Sequence, residues 1–261
     1  MPSTRPFRAA PNRAHYRPSE PRVSISSDIK NSMRLDRFLS HSSGMSRNQV
    51  KMLLHSGNVL IDGQPARNSG LQVNASNHIT LAGAVLAWPR HYYVMLHKPL
   101  GYVCSTEESE HPLVASLIEQ VWAANLHSAG RLDADTTGLV LLTSDGNWSH
   151  ALTSPRRACD KTYLCGVKHP LLPELVQRFA KGVVLKDDPK PTRPANLQII
   201  DSLTARVTLH EGRYHQVRRM FAACGNRVET LHRESIGTLT LDAAMQPGQW
   251  RELTSGEIAN V

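Results

Sequence analysis

The segment Gly130-Arg131-Leu132-Asp133-Ala134-Asp135-Thr136-Thr137-Gly138-Leu139 constrains this chain most. It sets a polar loop with two carboxylates, an arginine and two glycines directly against the apolar run Leu139 to Leu142. Such a run reads as a buried strand, and the loop before it as a turn that the strand holds in place. Loops positioned by a rigid sheet are where catalytic groups concentrate. From the residues alone, either Asp133 or Asp135 is a candidate carboxylate. Two residues apart, they point in different directions if the loop is extended.

Around this loop the chain divides into parts of different character. Residues 1–32 are rich in Pro, Arg and Ser and carry six Lys/Arg against two Asp/Glu. They lack apolar periodicity and read as a disordered basic extension. The prolines at 2, 6, 11, 18 and 21 would break the amphipathic helix of a transit peptide. Met33 offers an alternative start. Residues 33–88 read as a compact unit. Leu35, Phe38 and Leu39 define a short amphipathic helix. Ser46 caps a second helix, with Val50, Leu53 and Leu54 on one face and Gly57 as its stop. Val59-Leu60-Ile61, the turn Asp62-Gly63 and residues 78–81 read as strand, turn and strand. Arg34, Arg47 and Lys51 fall near the helix starts and exposed faces, an arrangement suited to phosphate.

From 89 to 261 short strands alternate with turns and a few helices. Strands are predicted at 92–96, 139–143, 162–167 and 205–209. Helices are predicted at 171–181, with Leu175, Val176 and Phe179 on one face, and at 215–223, stopped by Gly225. This is the pattern of an α+β domain on a mainly antiparallel sheet. The net charge of +8 comes almost entirely from the first third, because residues 86–261 hold nineteen basic and eighteen acidic side chains. A basic front on a nearly neutral body suggests a polyanion-docking part and a working part. No apolar run approaches the roughly 20 residues of a membrane helix. The cysteines Cys104, Cys159, Cys165 and Cys224 form no C-x-x-C pair, which argues against structural zinc and fits a reducing compartment.

Two motifs mislead. Asp133 to Thr137 contains D-x-D-x-T, an aspartyl-phosphate phosphatase pattern, but that pattern follows a buried strand and here the strand comes after. In His210-Glu211-Gly212-Arg213-Tyr214-His215 the histidines are five apart around a glycine, so they do not share the helix face a zinc site needs.

The pattern of residues 33–85, with Arg34-Leu35-Asp36-Arg37-Phe38-Leu39, Ser46-Arg47 and Gly57-Asn58-Val59-Leu60-Ile61-Asp62-Gly63, resembles the S4 RNA-binding module over about fifty residues. Downstream, Lys98-Pro99-x-Gly101, the Gly130-Arg131-Leu132-Asp133 loop, Lys161-Thr162-Tyr163-Leu164, and Gly212 to Phe221 match in order the motifs of the pseudouridine synthases. The match is closest to the S4-bearing branch that acts on small-subunit (16S) ribosomal RNA. Asn147-Trp148-Ser149-His150 and Leu231-His232-Arg233-Glu234 belong to the same likeness.

The resemblance implies a soluble, cytoplasmic, monomeric isomerase with no cofactor, no metal and no membrane partner, acting on ribosomal RNA in an assembling small subunit. It implies Asp133 as the catalytic carboxylate, ionised at neutral pH. Arg218 would hold that carboxylate charged and aimed. Arg131 would help extrude the uridine and fill its place, since a base must leave the stack before its glycosidic bond is reached. Tyr163 would stack on the flipped uracil and take part in proton transfer, and Val217 would pack under the base. Lys161 is expected as a phosphate or structural contact, and Arg213 and Arg219 as an RNA-facing basic patch. The rivals are a synthase for large-subunit rRNA and a non-catalytic ribosome-assembly factor. The complete set Asp133, Tyr163 and Arg218 argues against the second.

Overall fold

The structure is a computed structural model and describes residues 32–43, 45–105, 110–154 and 159–261. The basic extension expected at 1–32 lies outside the described residues but for Ser32, and so does the side chain of Arg47. The described residues fall into two compact units, divided along the chain between Arg90 and His91.

In the smaller unit, β1 (Met33–Arg34) leads into α1 (Leu35–Ser43) and α2 (Arg47–His55). Ser46 closes a capping box at the start of α2. Its hydroxyl accepts from the Gln49 amide at 3.4 Å, and the Gln49 side chain accepts from the Ser46 amide at 2.9 Å. Gly57, at φ +74°, turns the chain out of the helix as expected. Strands β2 (Val59–Ile61) and β3 (Gln64–Pro65) form a two-residue hairpin through Asp62 and Gly63, both at positive φ. After β4 (Gln72–Val73), β5 (Ile79–Leu81) and β6 (Ala84–Val85) repeat that hairpin through Ala82 and Gly83. The helices bury Leu35, Phe38, Leu39, Val50 and Leu54 against Val59, Val73 and Ile79. Trp88 stacks on Phe38, with ring centroids 4.9 Å apart.

The larger unit is a nine-stranded sheet. Its elements in chain order are β7 (Tyr93–Lys98), β8 (His127–Ser128), β9 (Thr137–Thr143), α3 (Gly146–Thr153), β10 (Lys161–Val167), α4 (Glu174–Lys181), β11 (Asn196–Ile199), β12 (Thr204–Leu209), α5 (Gln216–Ala223), β13 (Val228–Ile236), β14 (Leu239–Thr240), β15 (Trp250–Glu252) and α6 (Ser255–Ala259). The main path runs β11-β12-β10-β13-β9-β7-β15, with β8 on β9 and β14 on β13. Every pair is antiparallel except β13 with β9. Around β7 and β9 the sheet is buried on both faces. In β9, Val140 and Leu142 join one apolar cluster while Leu139 and Leu141 join the other. This explains why the strand reads as an unbroken apolar run instead of an alternating one.

Two expectations are corrected. The helix predicted at 171–181 begins only at Glu174, because Pro173 disfavours the helical region at Leu172. Its buried face is Leu175 and Phe179, while Val176 is exposed. The helix predicted from 215 begins at Gln216, since His215 is left-handed at φ 47°. Its end at Gly225, φ +79°, is as expected. No described helix is long and apolar enough to cross a membrane.

Candidate active site

The loop from Gly130 to Thr136 enters the sheet through β9, and two buried cations hold it there. Gly138, near the start of β9, pairs with Lys98 of β7 on one side and with Arg233 of β13 on the other. Lys98 is fully buried. Its ammonium donates to the carbonyls of Pro99 (3.0 Å), Ala134 (3.4 Å) and Thr136 (2.6 Å). Burial pushes its pKa down, and the nearby Asp135 and Asp133 carboxylates oppose that shift. Arg233 is 1% exposed and donates to the carbonyls of Leu139 (2.8 Å) and Arg131 (3.2 Å). The loop carbonyls therefore turn inward onto positive charge.

Gly138 is required by both its backbone and its neighbour. It sits at φ +108°, and a Cβ there would lie 2.3 Å from the Arg233 carbonyl oxygen. The sequence motif carries a glycine at this place because β13 passes directly over it.

The carboxylate of Asp133 faces a cleft of about 550 Å³ that Arg131, Lys161, Tyr163, Val217, Arg218 and Arg233 also line. Asp135 does not line it, and its side chain is 66% exposed. Tyr163 and Val217 are buried in the wall. Arg131 is exposed. Lys161 donates to the Cys159 carbonyl at 2.9 Å, and burial lowers its pKa. On the same strand, burial pushes the Cys165 thiol up to about 12, which leaves it a neutral packing group.

The partnership expected between Arg218 and Asp133 is not the one in the structure. Arg218 reaches the Asp135 carboxylate at 3.0 Å, the Asp135 carbonyl at 3.2 Å and the Val228 carbonyl at 3.1 Å. Against Asp133 stands His215, with Nε2 3.3 Å from Oδ1. The cause is the left-handed backbone at His215, which turns the imidazole toward the loop at the entry to α5.

The patch expected from Arg213 and Arg219 is also tied into the fold. Arg213 pairs with Asp188 (2.8 Å) and Glu211 (3.3 Å) and donates to the carbonyls of Lys190 and Pro191. Arg219 donates to the carbonyls of Tyr214 and Lys186. In the smaller unit Arg34 pairs with Asp36 at 2.8 Å but remains 56% exposed, and Lys51 is exposed on α2. Sequence reasoning gave no role to Lys98, Arg233, Tyr214 or His215. A lysine closing an apolar strand was the available signal for Lys98, whereas Arg233 gave none, because its strand carries no clean apolar pattern.

A sheet that sets the Asp133 carboxylate in a cleft lined by cations and a tyrosine, in a chain with a second, basic unit, defines an enzyme that acts on nucleic acid. The RNA pseudouridylate synthase family model matches residues 92–223, and the S4 domain model matches residues 33–79. Ribosomal small subunit pseudouridine synthase A of Yersinia pestis is 50% identical over 232 residues, covering 88% of this chain and 98% of that protein. The enzyme of the same name from Escherichia coli (strain K12) is 47% identical over 232 residues, covering 88% of this chain and all of that one. A crystal structure of a pseudouridylate synthase superposes with a TM-score of 0.65 at 41% identity, covering 87% of this chain and 99% of that one. The chain belongs to the RNA pseudouridylate synthase family, in a form that also carries an S4 domain.

Proposed function

We propose that this protein isomerises one uridine of small-subunit (16S) ribosomal RNA to pseudouridine, with Asp133 as the catalytic carboxylate. The observation that carries this reading is that Asp133, and not Asp135, faces the cleft. The names of the relatives support the choice of RNA.

In the isomerisation the bond from C1′ to N1 of the uracil breaks and one from C1′ to C5 forms. C5 loses a proton and N1 gains one, so the reaction needs no redox partner and no group acceptor. The Asp133 carboxylate attacks the reacting centre or stabilises the cation developing there. The carboxylate is partly solvated, and Arg131, Lys161 and Arg218 line the same cleft. Tyr163 offers a ring face to the flipped base and a phenol for proton transfer, and Val217 supports the base from below. Arg131, exposed at the rim, takes the place the uridine leaves. Lys161, whose ammonium donates to the Cys159 carbonyl, is a structural or phosphate contact at the cleft. Arg218 acts on the loop through Asp135 and not by direct contact with Asp133. Arg213 and Arg219 serve the RNA surface by fixing the segment from Lys186 to Pro191.

Residues 33–88 dock on RNA phosphates through Arg34, Arg47 and Lys51, and residues 89–261 catalyse. The enzyme works as a cytoplasmic monomer on an assembling small subunit.

The test is pseudouridine mapping by chemical tagging and primer extension. Unmodified 16S rRNA, bare and in partly assembled particles, is treated with the wild-type protein or with Asp133→Asn. One new site with the wild type and none with the variant is expected. An equal rate with Asp133→Asn would sink the assignment of Asp133.

A further inference from the structure

Tyr214 and His215 stand at the mouth of the cleft in an arrangement that folding alone does not explain. The two rings stack with centroids 3.8 Å apart and planes 19° from parallel. Tyr214 is 75% exposed, although it is a large aromatic residue. His215 sits in the left-handed region at φ 47°, a conformation that costs on the order of 1 kcal/mol or more for a residue with a Cβ. Such strain persists only where the surroundings over-determine it. Here they do. The Arg213 amide is held by the Gln216 side chain at 2.8 Å, and the Gln216 amide by the Arg213 carbonyl at 3.2 Å. Arg219 holds the Tyr214 carbonyl at 3.3 Å and ties it to Lys186. Four charge-assisted contacts of Arg213 pin the preceding turn. An aromatic pair fixed this firmly, with one ring face toward solvent, is preorganised for a flat ligand.

The pair also reaches the reacting centre. His215 Nε2 lies 3.3 Å from Asp133 Oδ1, and both residues line the same cleft as Tyr214. A uridine delivered to Asp133 leaves its neighbouring nucleotides at the mouth, beside the open face of Tyr214. Every nucleobase presents a π-face, and stacking on an aromatic side chain is worth enough to set affinity. We propose that Tyr214 and His215 form a two-ring platform on which the RNA base next to the flipped uridine stacks, while His215 positions the Asp133 carboxylate. This rests on the reading of the cleft as the uridine site.

The experiment compares the full-length wild type with Tyr214→Ala, Tyr214→Phe and His215→Asn on a 16S fragment that the wild type modifies. The fragment is used intact and with an abasic residue at each neighbour of the target. Tyr214→Ala is expected to raise KM and Kd about fivefold to a hundredfold with kcat nearly unchanged. Tyr214→Phe, which keeps the ring, restores the affinity. One abasic position should abolish the difference between wild type and Tyr214→Ala, because the base that stacks is gone. His215→Asn, which tolerates the left-handed backbone, is expected to lower kcat while KM holds. A general folding defect would not produce these opposite splits. Equal KM and Kd for Tyr214→Ala on the intact fragment would overturn the platform, and an unchanged kcat for His215→Asn would overturn the positioning role. If the wild type modifies no RNA at all, the reading of the cleft and the platform fall together.

Discussion

The two units use positive charge in opposite ways. In residues 32–90 the described basic side chains stay in water. Lys51 is exposed, and Arg34 keeps more than half of its side-chain surface open even while paired with Asp36. In residues 91–261 four cations turn inward onto the unit's own backbone. Lys98 and Arg233 hold the Asp133 loop, and Arg213 and Arg219 hold the turn before α5. An exposed cation acts on RNA at a distance through a field that salt screens. A buried one acts by removing freedom from the loop it holds, at a high desolvation cost that several carbonyl oxygens offset. Counting charges along the sequence cannot separate these jobs, because both are written as Lys and Arg.

The largest effect should come from the point where the inward-facing network is tightest. Gly138 lies between Lys98 and Arg233 in the sheet, and a Cβ there would overlap the Arg233 backbone at 2.3 to 2.9 Å. Neither backbone has room to retreat, because each is paired on both sides. Gly138→Ala is expected to cost about 3 kcal/mol or more, from the clash and the φ of +108° together. Urea unfolding followed by tryptophan fluorescence checks it. A midpoint unchanged from wild type would show that the contact between β9 and β13 is looser than its geometry.

A smaller effect is expected from Lys98→Met, which keeps the volume and removes the charge. The carbonyls of Ala134 and Thr136 lose their donor, and a hydrogen bond to a charged group is worth roughly 1.5–3 kcal/mol. We expect a loss in that range, with activity falling further than stability because the loop carries Asp133. The comparison sharpens if RNA affinity at low salt barely changes, since Lys98 has no surface to offer RNA. A large loss of affinity with normal stability would break it.

What was legible in the sequence follows the same division. In the smaller unit both helices and the two longer strands could be read, since those elements are set by local signals, while the two-residue strands β1, β3, β4 and β6 could not. The Ser46 cap, the Gly57 stop and the Asp62-Gly63 turn each carry their own chemistry. The matching turn at Ala82-Gly83 was not legible, because alanine gives no hint of the left-handed conformation it adopts at φ 49°. In the larger unit the strands with clean apolar patterns were visible, but β13, the longest, was not. It carries His232, Arg233 and Glu234 mid-sheet, and Arg233 is buried because the Asp133 loop needs a cation there. Helix α3 was missed although Asp145 caps it, since Gly146 opens it and its apolar face is short. The loop that holds Asp133 was plain from the sequence. The residue facing Asp133 was not, because it depends on one backbone angle at His215.

The smallest expected effect tests the outward-facing half of the comparison. Lys51 stands exposed on α2. If it meets a phosphate, Lys51→Ala removes one counterion-releasing contact, and the slope of log K against log salt should fall by about 1. Affinity should drop at low ionic strength and converge with wild type as salt rises, while the unfolding midpoint stays where it was. Arg213→Ala is the matched control from the other unit. Its guanidinium already holds Asp188, Glu211 and two carbonyls, so its loss should appear as reduced stability with the salt slope unchanged. Salt titrations of RNA binding, run beside urea melts on both variants, separate the two behaviours. A reduced salt slope for Arg213→Ala, with normal stability, would mean that the inward-facing arginines release their loops to bind RNA, and the division of charge between the units would fail.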